Sequence, residues 1–219
     1  SRAVANTIKP SVYRKRLAEM QKHPMYSQAM EEHIDYYVSQ VAELFLARKK
    51  QCLDALVLLE QRLDFSTWVP EGFGTGDVVI ISDGSVEIVD LKYGKGVPVS
   101  AEGNPQTRLY GLGAIATYEM LYDFSRVRMT IIQPRLENTS TEELTVEELL
   151  TWAEEELKPK AQLAFAGEGE FTAGKHCQFC RAAVKCRARA EAKLKLAAFE
   201  FALPPLLSDE EIGEVLNLI

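Results

Sequence analysis

Hydrophobic and polar positions change their period several times along this chain, and each change predicts an element. The first thirty residues carry little pattern; Lys15, Arg16 and Lys22 make them mildly basic, and Pro10 and Pro24 interrupt them. From Met30, apolar residues at Ile34, Tyr37, Val38, Val41, Leu44 and Phe45 recur at helical spacing to about Lys50. His33 on this helix reads as surface decoration, and Cys52 just after it as a small structural residue. The short apolar run 55–59 predicts a buried strand. Two further runs, 78–81 and 86–91, flank Asp83-Gly84, a dipeptide that signals a hairpin through a type I′ turn. Asn104 and Pro105 then open a helix to about Tyr122, as N-cap and first helical residue. Residues 127–133 alternate and are β-branched, which predicts a strand. Thr145 and Glu148 form a capping box for a helix with Leu149, Leu150, Ala153 and Leu157 inward, bent or ended by Pro159. The acidic string 142–156 reads as an outer, solvated face.

The hairpin carries the first candidate chemistry. With a two-residue loop, Ser82 faces Ser85, and positions whose numbers sum to 167 oppose each other. Asp77 then lies across from Asp90, with side chains roughly 5 Å apart at Cβ, and alternation returns Lys92 to the same face. Two carboxylates that close repel. A divalent cation between them removes the penalty, and Mg²⁺ prefers oxygen ligands. A neighbouring lysine can orient or deprotonate water there. The alternative reading is a wet polar face on which Asp and Lys form a surface pair. On the next helix, Gln106 and Tyr110 are four apart and share one face.

Composition narrows the class. The chain has 219 residues, a hydrophobic fraction of 47% and a net charge of −7, values of an ordinary water-exposed domain without an all-over basic coat. No window is apolar enough to span a membrane and no signal peptide is visible, so the four cysteines read as thiols or metal ligands in a reducing compartment. Three of them, Cys177, Cys180 and Cys186, follow a C-x2-C-x5-C spacing that suits an iron–sulfur cluster or Zn²⁺, although both prefer four ligands; the alternative is a reduced cysteine cluster with no metal. Around them Lys175, Arg181, Lys185 and Arg187 belong to the one basic patch in the chain, able to track phosphates.

Together these motifs resemble a known family. Gly74-x-x-Asp77 on one strand, Asp90-x-Lys92 on the next and Gln106-x-x-x-Tyr110 opening a helix are similar to the motifs of RecB-type nucleases of the PD-(D/E)xK superfamily, here an uncharacterised phage and prophage branch. The cysteine tail resembles that of AddB-like and CRISPR-associated nucleases carrying a [4Fe–4S] cluster. The resemblance implies an α/β restriction-endonuclease-like core of about four strands in residues 1–166, with a helical cysteine module in 167–219 packed on it. It implies Mg²⁺ or Mn²⁺ held by Asp77, Asp90 and the Leu91 carbonyl, with Lys92 acting on the attacking water and Gln106 and Tyr110 positioning phosphate or waters. Lys95 and Arg108 join the four tail cations as implied DNA contacts. Cys177, Cys180 and Cys186 are expected within ligating reach of one another. The implied activity is metal-dependent hydrolysis of DNA, end-directed, in the cytoplasm of a bacterial host beside phage recombination or replication proteins. The alternative is a non-catalytic nucleic-acid-binding or scaffold protein on the same fold; a small-molecule metalloenzyme ranks last. Two departures stand out: no Gly-x-x-x-His or acidic motif precedes Lys50, and no cysteine precedes Cys52 to complete a cluster. They point to a fragment or to a divergent metal site.

Overall fold

The strand register runs as the arithmetic requires, from Ser82 opposite Ser85 to Val78 opposite Val89. The turn differs from the expected type: Gly84 has a positive φ of 78°, but Asp83 does not. One positive φ at the second loop position is the type II pattern, not I′. The parallel neighbour explains the change, because Gly84 N–H donates to the Asp123 carbonyl at 2.7 Å and so leaves the ordinary hairpin geometry.

The computed structural model describes residues 10–200 and 207–218. They fall into two compact units, Ser1–Phe165 and Ala166–Ile219. In the first unit the elements are α1 (Pro10–Met20), α2 (Gln28–Gln51), β1 (Leu56–Asp64), β2 (Phe73–Ser82), β3 (Gly84–Leu91), α3 (Pro105–Tyr118), β4 (Phe124–Gln133), β5 (Asn138–Thr145), α4 (Val146–Trp152) and α5 (Lys158–Phe165). The five strands form one mixed sheet in sequence order. β3 and β4 are parallel, joined by a crossover through α3, and every other pair is antiparallel. The fold is thus mixed α/β, a five-stranded sheet flanked by helices.

Burial on both faces explains why β2 and β3 read as unbroken apolar runs. One face packs Val79, Ile81, Val86 and Ile88 against Leu112 and Ile115 of α3 and Leu149 of α4. The other packs Val78, Ile80, Val89 and Ile132 against Tyr37, Val38, Val41, Leu44 and Phe45 of α2. Ser27 caps α2, its hydroxyl accepting from Met30 N–H. The apolar spacing of that helix places its stripe on the sheet as predicted.

Three expectations change. The run 55–59 lies on an edge strand, where Leu56 and Leu59 remain 47% and 60% exposed, so it is not a buried strand. Asn138–Thr145 is a fifth strand that no apolar alternation announces, and part of the acidic string is structural. Asn138, Ser140 and Glu142 hold the loop between β3 and α3: the Asn138 amide donates to the Val99 carbonyl, and Ser140 Oγ and Glu142 Oε1 accept from Ala101 and Gly103 N–H at 2.9 and 3.0 Å. Pro159 does not end its helix. Ala153–Leu157 forms a π turn between α4 and α5, with Lys158 N–H donating to the Ala153 carbonyl. The wider turn lets the chain pass the residue that cannot donate and would clash with a carbonyl one turn back.

The second unit has short 3₁₀ turns at Lys175–Phe179 and Ala183–Lys185, then α6 (Arg187–Glu200) and α7 (Asp209–Leu218). The alanine-rich sequence after Cys186 predicts a helix through about Phe201, and that end lies outside the described residues. No helix among the described residues is long and apolar enough to cross a membrane.

Candidate active site

The β2–β3 ladder stops at Val78 and Val89, and one residue beyond it on each strand stands a carboxylate. Asp77 fills the gap left by the last ladder bond: its Oδ2 accepts from Leu91 N–H at 2.7 Å. Asp90 is buried, 3% exposed. Lys92 Nζ lies 2.8 Å from Asp90 Oδ2 as an ion pair. Burial, chiefly, pushes the Asp90 carboxyl above the ordinary carboxylate range; Lys92 opposes the rise and Asp77 adds to it.

Helix α3 closes the cluster. Asn104 Oδ1 accepts from Gln106 and Thr107 N–H, which fixes where the helix begins. From the first turn, Gln106 Oε1 accepts from Lys92 Nζ at 2.8 Å, and Gln106 Nε2 donates to Asp90 Oδ1 at 3.4 Å and to the Tyr110 hydroxyl at 3.0 Å. The amide therefore uses both ends, one on the lysine and one on the carboxylate and phenol. Gly74 makes room for this: a Cβ there would stand 2.5 Å from Tyr110 Cε1. Asp77, Asp90, Leu91, Lys92, Gln106 and Tyr110 thus come together at one end of β2 and β3.

The side-chain donor set is the two carboxylates of Asp77 and Asp90. Among the described residues no three His, Cys, Asp or Glu side chains gather as a metal-binding group. Mg²⁺ commonly binds through one or two carboxylates and keeps several waters, and Asp90 Oδ2 retains an unused lone pair. These residues fit a hard divalent cation.

The other predicted residues divide. Lys95 is exposed on the loop after β3. Arg108 is not an open DNA contact: its Nε and Nη2 bind Glu142 Oε2 and Oε1 at 2.9 and 2.5 Å, and its guanidinium lies 5.1 Å from the Trp152 ring centre. A carboxylate on β5 had claimed the charge. In the second unit Lys175, Arg181, Lys185 and Arg187 are all exposed. Cys177, Cys180 and Cys186 are free thiols spread over the two 3₁₀ turns and the start of α6, and they are not gathered as ligands. Cys180 N–H donates to the Cys177 carbonyl and Ala190 N–H to that of Cys186, so their backbones cap local turns.

Sequence reasoning missed three residues near the carboxylates. Glu60 sits at the register position opposite Asp77 on β1, in the left-handed region at φ 51°, unpaired between Leu59–Val78 and Gln61–Gly76. Tyr37 is buried and its hydroxyl has no partner. His33, one turn earlier on α2, is not surface decoration: its Nδ1 is buried without a partner and its ring meets Tyr93 edge-on at 6.0 Å. The i, i+4 spacing of His33 and Tyr37 was visible, but which strand ends they would face was not.

Among solved structures the chain is similar to that described as "Crystal structure of SSO0001", with 15% identity, a TM-score of 0.39, and coverage of 82% of this chain and 78% of that one. From residue 2 to residue 219 it matches the family described as "Protein of unknown function (DUF2800)", and it belongs to that family.

Proposed function

We propose that this protein is a divalent-metal-dependent deoxyribonuclease with a PD-(D/E)xK-type core, acting from DNA ends. One observation carries the reading: Asp90, Lys92, Gln106 and Tyr110 are joined by contacts of 2.8–3.4 Å, beside Asp77 and at the open end of a ladder. Ordinary surface decoration does not bury an aspartate whose pKa burial pushes up.

Asp77, Asp90 and the Leu91 carbonyl would hold Mg²⁺ or Mn²⁺. Such a cation, when bound, supplies Lewis-acid polarisation of the phosphoryl oxygen and makes water easier to deprotonate. Lys92 holds a fixed positive charge where negative charge develops during phosphodiester hydrolysis; preorganised charge of this kind is commonly the largest catalytic contribution. Gln106 shares the Lys92 ammonium with Asp90 and fixes its direction, since its carbonyl oxygen claims one of the three ammonium protons. Tyr110 presents its hydroxyl beside the Gln106 amide, where it can meet a phosphate oxygen. The exposed cations of the second unit offer phosphate contacts. A cytoplasmic place in phage or prophage DNA processing follows from the resemblance alone.

Cleavage of labelled linear and circular DNA, single- and double-stranded, with Mg²⁺ or Mn²⁺ and with a chelator, tests the activity. Metal-dependent loss of linear substrate with circular DNA spared is expected. Binding without cleavage of any form would favour the scaffold reading, in which Asp77 serves only to cap the β2–β3 ladder.

A further inference from the structure

A cavity of about 490 Å³ lies between α2 and the β1–β2 edge, and Asp77 forms part of its wall. Its size is that of small-molecule sites, roughly 300–1,000 Å³. Tyr37 and Phe45 of α2, Leu59 and Glu60 of β1, and Tyr93 after β3 also line it. The walls are apolar and aromatic. Their polar groups are few and of definite kinds: the carboxylates of Glu60 and Asp77, and the phenol hydroxyls of Tyr37 and Tyr93.

Tyr37 is the telling residue. It is 8% exposed, and its hydroxyl has no hydrogen-bond partner. Burying an unpaired hydroxyl is costly, and native structures rarely tolerate it without a missing partner. A phenol hydroxyl is a donor as well as an acceptor, and both capacities of this one are unused. Tyr93 is fixed independently, with the His33 ring edge-on at 6.0 Å and the Arg135 guanidinium 5.0 Å from its centre. A flat, ordered aromatic wall thus faces a cavity that holds one unsatisfied donor.

We propose that this cavity is a nucleobase pocket, which takes an unpaired base adjoining the phosphate at Asp77 and Asp90 and prefers a base that carries an exocyclic amino group, adenine, cytosine or guanine, over thymine. The inference rests on the nuclease reading for its substrate, but not for its chemistry. Stacking on aromatic side chains accepts every base. Discrimination comes from the edge. Adenine and cytosine each set an exocyclic amino donor beside a ring-nitrogen acceptor, which matches a carboxylate and a phenol hydroxyl, and guanine sets its amino group beside a ring N–H, so that both donate to a carboxylate. Thymine offers a carbonyl and a ring N–H in those places and turns an acceptor toward the carboxylates. An unpaired base at the site also means that duplex ends must fray before they are cut.

Saturation-transfer NMR with deoxyadenosine, deoxycytidine and thymidine tests the pocket without needing the metal site. The first two are expected to receive transfer at their base protons and to bind about tenfold or more tightly than thymidine, the effect of one unpaired polar edge. Tyr37→Phe, which keeps the ring, should lower their affinity several-fold. Val57→Trp should abolish binding by filling the cavity from the exposed edge strand, where Val57 is 37% exposed and its replacement leaves the core intact. Equal binding of all three nucleosides, no binding of any, or binding unaffected by Val57→Trp would each overturn the proposal. Cleavage of linear DNA is scored separately. Nucleoside binding without cleavage would leave the pocket standing and remove the nuclease; cleavage with no nucleoside binding would do the reverse.

Discussion

The ring of Tyr110 occupies the place where residue 74 would carry a Cβ, at 2.5 Å from Cε1 and 3.3 Å from the hydroxyl oxygen. Glycine at position 74 is therefore part of the site, since it lets an aromatic ring from α3 lie against β2. Gly74→Ala should push the ring aside, break the 3.0 Å bond to Gln106 and slow cleavage by about 10²-fold, the scale of an ångström-sized misplacement. Single-turnover rates beside a melting curve check this. A Gly74→Ala protein that cleaves at the wild-type rate would show that the position of Tyr110 is irrelevant to chemistry.

Asp90 sets stability against function. Its folded-state pKa lies above the ordinary 3.8, chiefly through burial, so the native state holds this proton more tightly than the unfolded chain does. The site then stabilises the fold at low pH, and that contribution is lost as pH rises through the raised value. Asp90→Asn should melt higher than wild type at neutral pH without divalent metal, by a margin that shrinks as pH falls toward 3.8. Mg²⁺ should raise the melting temperature of wild type and not that of the variant, because only a ligand of the native state stabilises it. A neutral-pH loss of stability in Asp90→Asn would mean that the Lys92 ion pair outweighs burial.

Arg108 and Glu142 work the other way. The Arg108 hydrogen bonds hold the Glu142 carboxyl below its ordinary 4.5, so the pair contributes stability above that pH and loses it as pH falls through the depressed value. Both side chains are mostly buried, at 17% and 9% exposure, and Arg108→Ala should cost about 2 kcal/mol in denaturant unfolding at pH 7, less at pH 3. Because the guanidinium is already neutralised, the salt dependence of DNA binding should not change. A shallower salt slope in Arg108→Ala would restore it as a phosphate contact.

The tail cations should behave oppositely. Replacing Lys175, Arg181, Lys185 and Arg187 together by alanine should flatten the plot of log affinity against log salt by about 0.9 per lost contact on duplex DNA, with melting little changed. Unchanged binding would assign the patch to local helix-end electrostatics instead. Iron, sulfide and zinc analysis of anaerobically purified protein reads the neighbouring cysteines; a clean zero for all three elements would leave them structural.

What the sequence reveals and what it hides follow from the range of the interactions. The Asp83-Gly84 reversal and strand alternation put Asp77 and Asp90 at the same end of two strands, and the Asn104 cap with i, i+4 spacing aims Gln106 and Tyr110 together. Each is a local rule. The register was right although the turn type was not, because pairing of buried runs fixes it more firmly than loop chemistry does. β5 was hidden because Asn138–Thr145 is almost wholly polar: an edge strand that uses its side chains to hold a loop need not alternate. Glu142 was misread for the same reason, as was Arg108 with it. Glu60, Tyr37 and His33 depend on how α2 lies across the sheet, a contact between distant segments that periodicity does not specify.

The central claim is that Asp90 and its neighbours cut DNA rather than merely hold a fold. The direct measurement is Mg²⁺-dependent cleavage of end-labelled linear DNA by wild type and Asp90→Asn at enzyme excess, with binding measured on the same samples. The account predicts complete, chelator-sensitive cleavage by wild type, none by Asp90→Asn, and binding by both within a few-fold. Equal cleavage by the two proteins, or binding by wild type with no cleavage under either Mg²⁺ or Mn²⁺, would contradict it.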